Sequence, residues 1–240
     1  MPMRSDRRRP DQIRPVKIHP GFMPQAEGSA LIEMGRTRVV CTASFEKGVP
    51  GWLRGSGKGW ITSEYAMLPR ATNTRTARES SRGRVSGRTH EIQRLIGRSL
   101  RTVTALDQLG EHTVWIDCDV LEADGGTRCA SITGAYVALY LAFYTCVKEG
   151  TLERMPLKDS VAAVSVGIVG GEPVLDLDYQ EDSSAEVDMN VVLTGAGQFI
   201  ELQATGEQTT FDAALLDRML ALGRSGVSQL LECQRAVLPA

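Results

Sequence analysis

Residues 124–128, with the sequence Asp-Gly-Gly-Thr-Arg, have the residue types and spacing of an anion-binding turn. A β-branched run over 113–120 predicts a strand before the turn, and the apolar spacing from Ile132 to Val147 predicts an amphipathic helix after it. Two glycines permit a sharp turn, and the first amides of a helix are unpaired donors. The helix dipole disfavours Arg128 at this end, so we predict a bound phosphate that compensates it. An ordinary turn with a solvated arginine is the alternative.

A second arginine, Arg88, occupies the same unfavourable place at another predicted helix start. A polar cluster precedes it, and apolar residues follow at helical spacing from Ile92 to Val103. If the two helix starts converge, one oxyanion satisfies both Arg88 and Arg128. His90 is predicted to be a surface or capping residue, because no serine or cysteine nucleophile is visibly paired with it. Three further arginines are expected on the exposed face of this helix, where packing and RNA contact both stay open: Arg94, Arg98 and Arg101.

Asp182 and Asp188 are the carboxylates that best fit a metal site. On a predicted strand over 186–193, Asp188 shares one face with Asn190, and Asp182 enters from the loop before it. Carboxylates placed this closely repel one another unless a cation lies between them. Ligands that are all oxygen favour a hard divalent ion such as Mg²⁺.

Two segments are strongly basic. Residues 69–84 carry Arg70, Arg75 and Arg78 among threonines and serines without apolar periodicity. Arginines beside hydroxyl groups are suited to contact a phosphate backbone, and a merely solvated loop is the alternative. Residues 7–15 indicate an extended basic arm, for which a frayed terminus is the alternative.

Charge is divided along the chain, although the formal net charge is only −2. Residues 1–101 hold 20 Lys and Arg against 8 Asp and Glu, whereas residues 102–240 hold 7 against 21. This division suits a protein that binds a polyanion on one surface, and it equally suits complementary surfaces in an oligomer. Among the acidic residues, Asp176 and Glu181 are expected in solvated positions.

Composition predicts a globular protein of the cytoplasm. With 240 residues, of which 42% are hydrophobic, the chain can form one large domain or two small ones. Five scattered cysteines without a Cys-x-x-Cys pair favour reduced thiols over disulfides or zinc. No run approaches ~18 uninterrupted apolar residues, so we expect no membrane span. Hairpins are predicted at Gly35-Arg36 and Gly170-Gly171, and an amphipathic helix is predicted from Leu215 to Leu231.

Assembled in order, these stretches resemble the ribonuclease PH family essentially from end to end. The motifs that carry the resemblance are RP at 14–15, GSGKGWITSEY at 55–65, MLPRATN at 67–73, SGRT at 86–89, EIQRLIGR at 91–98, WIDCDV at 115–120, ADGGTR at 123–128 and EDSSAEVDMN at 181–190. The resemblance implies the α/β ribonuclease PH fold, which is ribosomal protein S5 domain 2-like with paired β-α halves. It implies a single domain over 1–240, with an N-terminal half at about 11–145 and a C-terminal half at about 159–225. It also implies a homohexamer, assembled as a trimer of dimers.

The resemblance also implies an activity and the residues that perform it. The family consists of phosphorolytic 3′-to-5′ exoribonucleases, reversible as nucleotidyltransferases, that trim tRNA precursors and rRNA with inorganic phosphate. By position, Asp182 and Asp188 match its catalytic and metal-linked carboxylates, with Asp182 either a magnesium ligand or the acid that protonates the leaving oxygen. The residues that match its phosphate site are Arg88, Gly126, Thr127 and Arg128. The residues that match its basic loop, which serves RNA binding or ring assembly, are Arg70, Arg75 and Arg78.

Three other classes stay open at this point. A non-catalytic ring subunit would bind RNA without cleaving it, and polynucleotide phosphorylase would carry two such units and additional RNA-binding modules. A hydrolytic nuclease would need metal-activated water and no phosphate pocket.

Overall fold

The computed structural model describes residue 4, residues 6–207 and residues 209–239. The first sheet of this part of the chain comprises β1 (Val16–Pro20), β2 (Gly28–Met34), β3 (Thr37–Lys47), β4 (Trp60–Met67) and β5 (His112–Glu122). Its strand order is β1-β2-β3-β5-β4. Neighbouring strands are antiparallel except β4 and β5, which run parallel. Short 3₁₀ turns connect strands and helices at Gly51–Leu53, Glu79–Arg82 and Leu106–Gln108.

The second sheet is antiparallel and comprises β6 (Val161–Val169), β7 (Glu172–Leu175), β8 (Val187–Thr194) and β9 (Phe199–Gly206). Its order is β7-β6-β8-β9. Both predicted hairpins are confirmed. Gly35, between β2 and β3, has a φ of 59°, and Gly170 and Gly171, between β6 and β7, have φ values of 60° and 78°. Positive φ is the backbone conformation that glycine adopts without a steric penalty.

The helices are α1 (Gly87–Thr102), α2 (Thr127–Lys148), α3 (Tyr179–Ser184) and α4 (Ala213–Arg235). The apolar spacing correctly predicted α1, α2 and α4, and α1 buries the predicted residues from Ile92 to Leu100. Of the three arginines expected on its exposed face, Arg94 and Arg98 are exposed, whereas Arg101 is half-buried against the ring of Trp60. This architecture confirms the predicted α/β class with paired β-α halves. The predicted limits of the domain and of its halves stay a prediction.

α2 is the central helix, and it contacts strands of both sheets, notably β2, β3 and β6. The prediction of a helix with a single apolar stripe is therefore wrong, because Ala130, Thr133 and Val137 are buried as well as most of the predicted stripe. The buried hydroxyl of Thr133 is satisfied because it accepts a hydrogen bond from the Ala163 amide of β6 at 3.2 Å. By length and composition alone α2 could cross a membrane, yet 72% of its most apolar 18-residue window is buried inside the protein.

The approach of β2 to α2 depends on a glycine. A Cβ atom at Gly28 would lie 2.1 Å from the carbonyl oxygen of Ala138, a distance that no side chain tolerates. Close packing of this kind fixes α2 against the first sheet and therefore fixes where its N-terminus emerges.

Candidate active site

The turn before α2 is held by contacts from three parts of the chain. Gly125 and Gly126 both have positive φ, at 77° and 65°. The Thr37 hydroxyl donates to the Gly125 carbonyl at 2.7 Å and accepts from the Asp124 amide at 2.9 Å. A Cβ atom at Gly125 would lie 2.6 Å from the carbonyl oxygen of Leu177, so this turn packs directly on the chain that leads into α3. The C-terminal half thus supports the predicted phosphate-binding turn.

The N-terminus of α2 is left available for an anion. Gly126 is the N-cap, and within the described residues no side chain caps this end and no acidic residue occupies its first turn. Thr127 is buried, and its hydroxyl forms a hydrogen bond of 2.8 Å with the hydroxyl of Tyr65. Because that side chain is already satisfied, Thr127 offers an anion its backbone amide, as the first residue of a helix does.

Arg88 and Arg128 are the second residues of α1 and α2, and both line the same pocket. The N-termini of α1 and α2 therefore converge, which is the condition for one oxyanion to satisfy both arginines. Arg88 is exposed, whereas Arg128 is largely buried and its Nη1 donates to Oε1 of Gln203 at 2.8 Å. Nη1 of Arg128 also lies 3.5 Å from Oε1 of Glu91, which accepts from Gln203 at 3.2 Å. These polar neighbours hold the Arg128 guanidinium at the pocket wall.

Asp182 lies on α3, so the prediction that it enters from a loop is wrong. Asp178 caps α3 by accepting from the Glu181 amide at 2.9 Å, and the Glu181 carboxylate accepts from the Asp178 amide at 3.1 Å. This reciprocal capping box stabilises a helix of six residues, from Tyr179 to Ser184. Asp188 lies on β8 and faces the same pocket as Asp182.

Both carboxyl groups have raised pKa values. Burial, followed by the charge of Asp182, raises the pKa of Asp188 to about 6. Burial also raises the pKa of Asp182, while the charges of Arg88 and Arg128 oppose that shift. Two cations and two carboxylates therefore share one electrostatic environment.

The two carboxylates of this pocket fit a magnesium ion whose remaining ligands are water and substrate phosphate. Asp182 and Asp188 supply carboxylate oxygens whose mutual repulsion a cation would relieve. Within the described ranges, no group of three or more His, Cys, Asp or Glu side chains has a metal-binding arrangement. Magnesium is commonly bound by one or two carboxylates, with water and substrate phosphates completing its coordination. The predicted role of these residues as metal ligands stays a prediction that the donor chemistry supports.

All six predicted catalytic and phosphate-binding residues line this single pocket, although they come from α1, α2, α3, β8 and the turn before α2. Gly125 of the predicted anion-binding turn and Asn190, predicted on the same strand face as Asp188, line it too. Sequence reasoning missed the remaining lining residues: Met67, Thr72, Ala123, Ser165 and Tyr179. Of these, Tyr179 is an exposed residue with a relative accessibility of 57%. Its position next to the acidic motif was the only available signal, since a tyrosine at a helix start predicts no chemistry by itself.

Two acidic residues that were expected in solvent are buried instead. Asp176 is 1% exposed and forms an ion pair with Arg14 at 2.7 Å. Glu181 is 7% exposed and forms an ion pair with Arg4 at 2.6 Å. Buried carboxylates need such partners. The N-terminal basic region is accordingly folded against the C-terminal half, so the alternative of a frayed terminus is wrong. Residues 7–15 form no helix, as the two prolines predicted.

The basic loop lies beside the pocket. Arg70, Arg75 and Arg78 are exposed, and Thr72 from the same loop reaches the pocket lining. His90 is exposed, as expected for a surface residue. The roles predicted for the three arginines stay predictions.

Comparison with known proteins identifies the family. Models described as the 3′ exoribonuclease family, domain 1 and domain 2, match residues 12–143 and 159–226. The chain is 58% identical over 228 residues to Ribonuclease PH of Syntrophomonas wolfei, covering 95% of each chain. It is 57% identical over 236 residues to Ribonuclease PH of Bacillus pumilus, covering 98% of each. The chain belongs to the ribonuclease PH family.

Solved structures agree with this ribonuclease PH assignment at the level of the fold. Rrp46 from rice (Oryza sativa) superimposes with a TM-score of 0.79 at 20% identity, covering 98% of this chain and 100% of that one. A chain of the Archaeoglobus fulgidus exosome with RNA bound to the active site gives a TM-score of 0.81 at 24% identity, covering 96% and 92%. As a ribonuclease PH family member, the protein is a phosphorolytic 3′-to-5′ exoribonuclease that acts on RNA.

Proposed function

We propose that this enzyme trims the 3′ ends of tRNA precursors, and of rRNA, by phosphorolysis in the pocket between α1, α2, α3 and β8. The observation that carries this proposal is the coexistence of Arg88 and Arg128 with Asp182 and Asp188 around one cavity. A phosphate-binding half and a carboxylate half in one chain are what distinguish a phosphorolytic enzyme from an RNA-binding subunit.

The arginines of the pocket are placed to reduce the repulsion between the two anionic reactants. Inorganic phosphate and the phosphodiester of RNA are both anions, so they repel one another as they approach. Arg88, Arg128 and the amides at the start of α2 are placed to offset that repulsion. Because phosphate itself is the nucleophile, no side chain needs to form a covalent intermediate.

The bonds that form and break in phosphorolysis suggest a role for the carboxyl group of Asp182. An oxygen of inorganic phosphate bonds to the terminal phosphorus, and the bond from phosphorus to the 3′ oxygen of the preceding nucleotide breaks. A nucleoside diphosphate leaves, and the 3′ oxygen takes up a proton. Asp182 has a raised pKa and is a candidate donor of that proton, as an alternative to its role as a magnesium ligand. In reverse, an excess of nucleoside diphosphate extends the RNA.

Mg²⁺ is the ion that we propose for this site, held by Asp182 and Asp188. When bound, it would stabilise negative charge at the scissile phosphate and the leaving oxygen. The support is the oxygen-only donor pair and the raised pKa of Asp188, about 6, which is caused first by burial and then by repulsion from Asp182.

Substrate recognition is proposed to involve the RNA backbone more than its bases. Arg70, Arg75 and Arg78 are exposed on the loop that also contributes Thr72 to the pocket. Exposed arginines beside a pocket are suited to the phosphates of a single strand entering by its 3′ end. The same arginines could contact a neighbouring subunit in the homohexamer, a trimer of dimers, that we also propose. Free cysteines among the described residues support a cytoplasmic location.

The decisive experiment is digestion of a tRNA precursor with a short 3′ tail, with Mg²⁺, in the presence and absence of inorganic phosphate. Separation of the products should give nucleoside diphosphates only when phosphate is present. Nucleoside monophosphates formed without phosphate would indicate a hydrolase. An intact precursor would instead favour the non-catalytic subunit.

A further inference from the structure

The N-terminal segment, defined as Arg4 together with residues 6–14, is built into the C-terminal half through buried charges. Nε and Nη2 of Arg4 each donate to a different oxygen of Glu181 at 2.6 Å. The two side chains are 4% and 8% exposed. Arg4 also donates to the carbonyl oxygens of Leu175 at 2.8 Å and Asp176 at 2.9 Å. The only acidic partner of Arg4 in these contacts is therefore the residue that precedes Asp182 in the chain.

The other end of the segment makes a second buried pair. Nη2 and Nε of Arg14 donate to the two carboxylate oxygens of Asp176 at 2.7 and 3.0 Å, and the Arg14 amide donates to the same carboxylate at 2.7 Å. Nη1 of Arg14 donates to the Asp124 carbonyl oxygen. Arg14 thus contacts both the turn that precedes α2 and the chain that leads into α3.

The two ion pairs lie next to two different parts of the pocket lining, the turn before α2 and helix α3. Arg14 contacts the turn that carries Gly126 and Arg128, which is the side assigned to phosphate. Arg4 fixes Glu181, whose carboxylate also accepts from the Asp178 amide and closes the capping box of α3. α3 in turn carries Asp182. A side chain held by a bidentate ion pair and a cap cannot rotate freely, so the helix that depends on it has one orientation.

We infer that Arg4, Arg14, Asp176 and Glu181 are positioning residues for phosphorolysis, through which the N-terminal segment aligns the phosphate side of the pocket with Asp182. This inference rests on the proposed function of the pocket. Buried ion pairs contribute little net stability compared with apolar residues of similar size, so four such charges are better explained by the geometry that they impose. Of these two arginines, only Arg14 contacts the turn before α2 and only Arg4 bonds Glu181 on α3, so we expect the two pairs to affect different kinetic constants.

Kinetics can separate positioning from simple stabilisation. Arg14→Lys keeps the charge but loses the two-pronged contact, so we expect the KM for inorganic phosphate to rise about tenfold while kcat changes less. Arg4→Lys and Glu181→Gln loosen α3, so we expect kcat to fall about 10- to 100-fold with an unchanged KM for phosphate. Arg9→Lys is the matched control, since Arg9 lies in the same segment but is 68% exposed and pairs with Asp11 on the surface.

The test is steady-state phosphorolysis of a tailed tRNA precursor by the full chain, with phosphate varied and the folded fraction of each variant measured by thermal unfolding. The double variant Arg4→Met/Glu181→Gln removes both charges of this pair, and Arg8, which lies 3.6 Å from Glu181, keeps its ion pairs with Asp6 and Asp176. It therefore keeps the test valid if a single variant fails to fold. The inference is supported if the folded double variant loses kcat like Glu181→Gln while Arg9→Lys keeps it. It is overturned if the folded variants retain the kcat and KM of the parent protein. An inactive parent protein would refute the proposed function instead.

Discussion

Asp188 on β8 lies in the electrostatic field of Asp182 on α3, and burial together with that charge raises the pKa of Asp188 to about 6. A carboxylate in this condition destabilises the folded protein when it is ionised. The folded-state pKa lies above the unfolded value of 3.8, so the folded protein holds this proton more tightly than the unfolded chain does. The resulting contribution of Asp188 to the free energy of unfolding is complete below pH ~4 and is lost as pH rises through about 6.

Asp188→Asn should consequently stabilise the protein at pH 7 while abolishing activity. A shift of about two pKa units corresponds to about 3 kcal/mol, which is an upper value because the native Asp188 also bonds Asn190. Denaturant unfolding of both proteins at pH 7 and pH 4 measures the effect. The difference in unfolding free energy should be large at pH 7 and small at pH 4. A variant that is less stable than the parent at pH 7 would contradict the electrostatic account.

Arg88→Ala should abolish phosphorolysis without unfolding the protein. Arg88 is exposed on the first turn of α1, where the helix dipole disfavours its charge, so its removal should leave α1 folded. We expect loss of two or more orders of magnitude in kcat/KM, about 3 kcal/mol of charge stabilisation. Arg94→Ala, at an exposed position of the same helix, is the control. Unchanged turnover at saturating phosphate would refute the assignment of Arg88 to the anion.

Gly125→Ala should destabilise the protein more than Gly171→Ala does. The two glycines have nearly the same φ, 77° and 78°, so both substitutions carry the same backbone strain of about 1–2 kcal/mol. Only at Gly125 would the new Cβ atom meet backbone, 2.6 Å from the Leu177 carbonyl oxygen, because Gly171 has open space around it. Chemical denaturation of the two variants isolates this contact. Equal destabilisation would show that the turn does not press on the chain before α3.

Local sequence patterns predicted those parts of the site that depend on local structure. The positions of Arg88 and Arg128 at helix starts follow from apolar periodicity and polar caps within a few residues. The helix that carries Asp182 could also have been found, since Asp178 and Glu181 have the spacing of a capping box. This helix was not predicted because its six residues are mostly polar and too few to show an apolar periodicity.

The buried state of Asp176 and Glu181 could not be predicted from neighbouring residues. Their partners Arg14 and Arg4 are 162 and 177 positions away in the chain. Gln203, which contacts Arg128 from β9, is 75 positions away and has no distinguishing pattern. Pairings of this kind are set by the topology of the two sheets, and single-sequence periodicity carries no information about them.

Tyr179→Ala should raise the KM for RNA and leave the KM for phosphate unchanged. Tyr179 is 57% exposed and lines the same pocket as Asp182, so its ring is available to stack on the terminal base. Stacking on an aromatic side chain contributes about 1–3 kcal/mol, so we expect an increase of about tenfold or more. Tyr179→Phe keeps the ring and should behave as the parent. Tyr144→Ala, an exposed tyrosine on α2, is the control for loss of a surface aromatic residue. Equal KM values for the alanine and phenylalanine variants would exclude stacking.

Replacement of Arg70, Arg75 and Arg78 by alanine should reveal whether they serve RNA or assembly. If they contact phosphates, RNA affinity falls, and the slope of log affinity against log salt concentration decreases by about 0.7 for each lost contact to a single strand. Equilibrium binding of a tailed RNA from low to moderate salt measures that slope. Sedimentation of the same variant measures the oligomer, which should be unchanged because the three side chains would then face the substrate. A smaller oligomer with an unchanged salt slope would assign the arginines to a subunit interface instead.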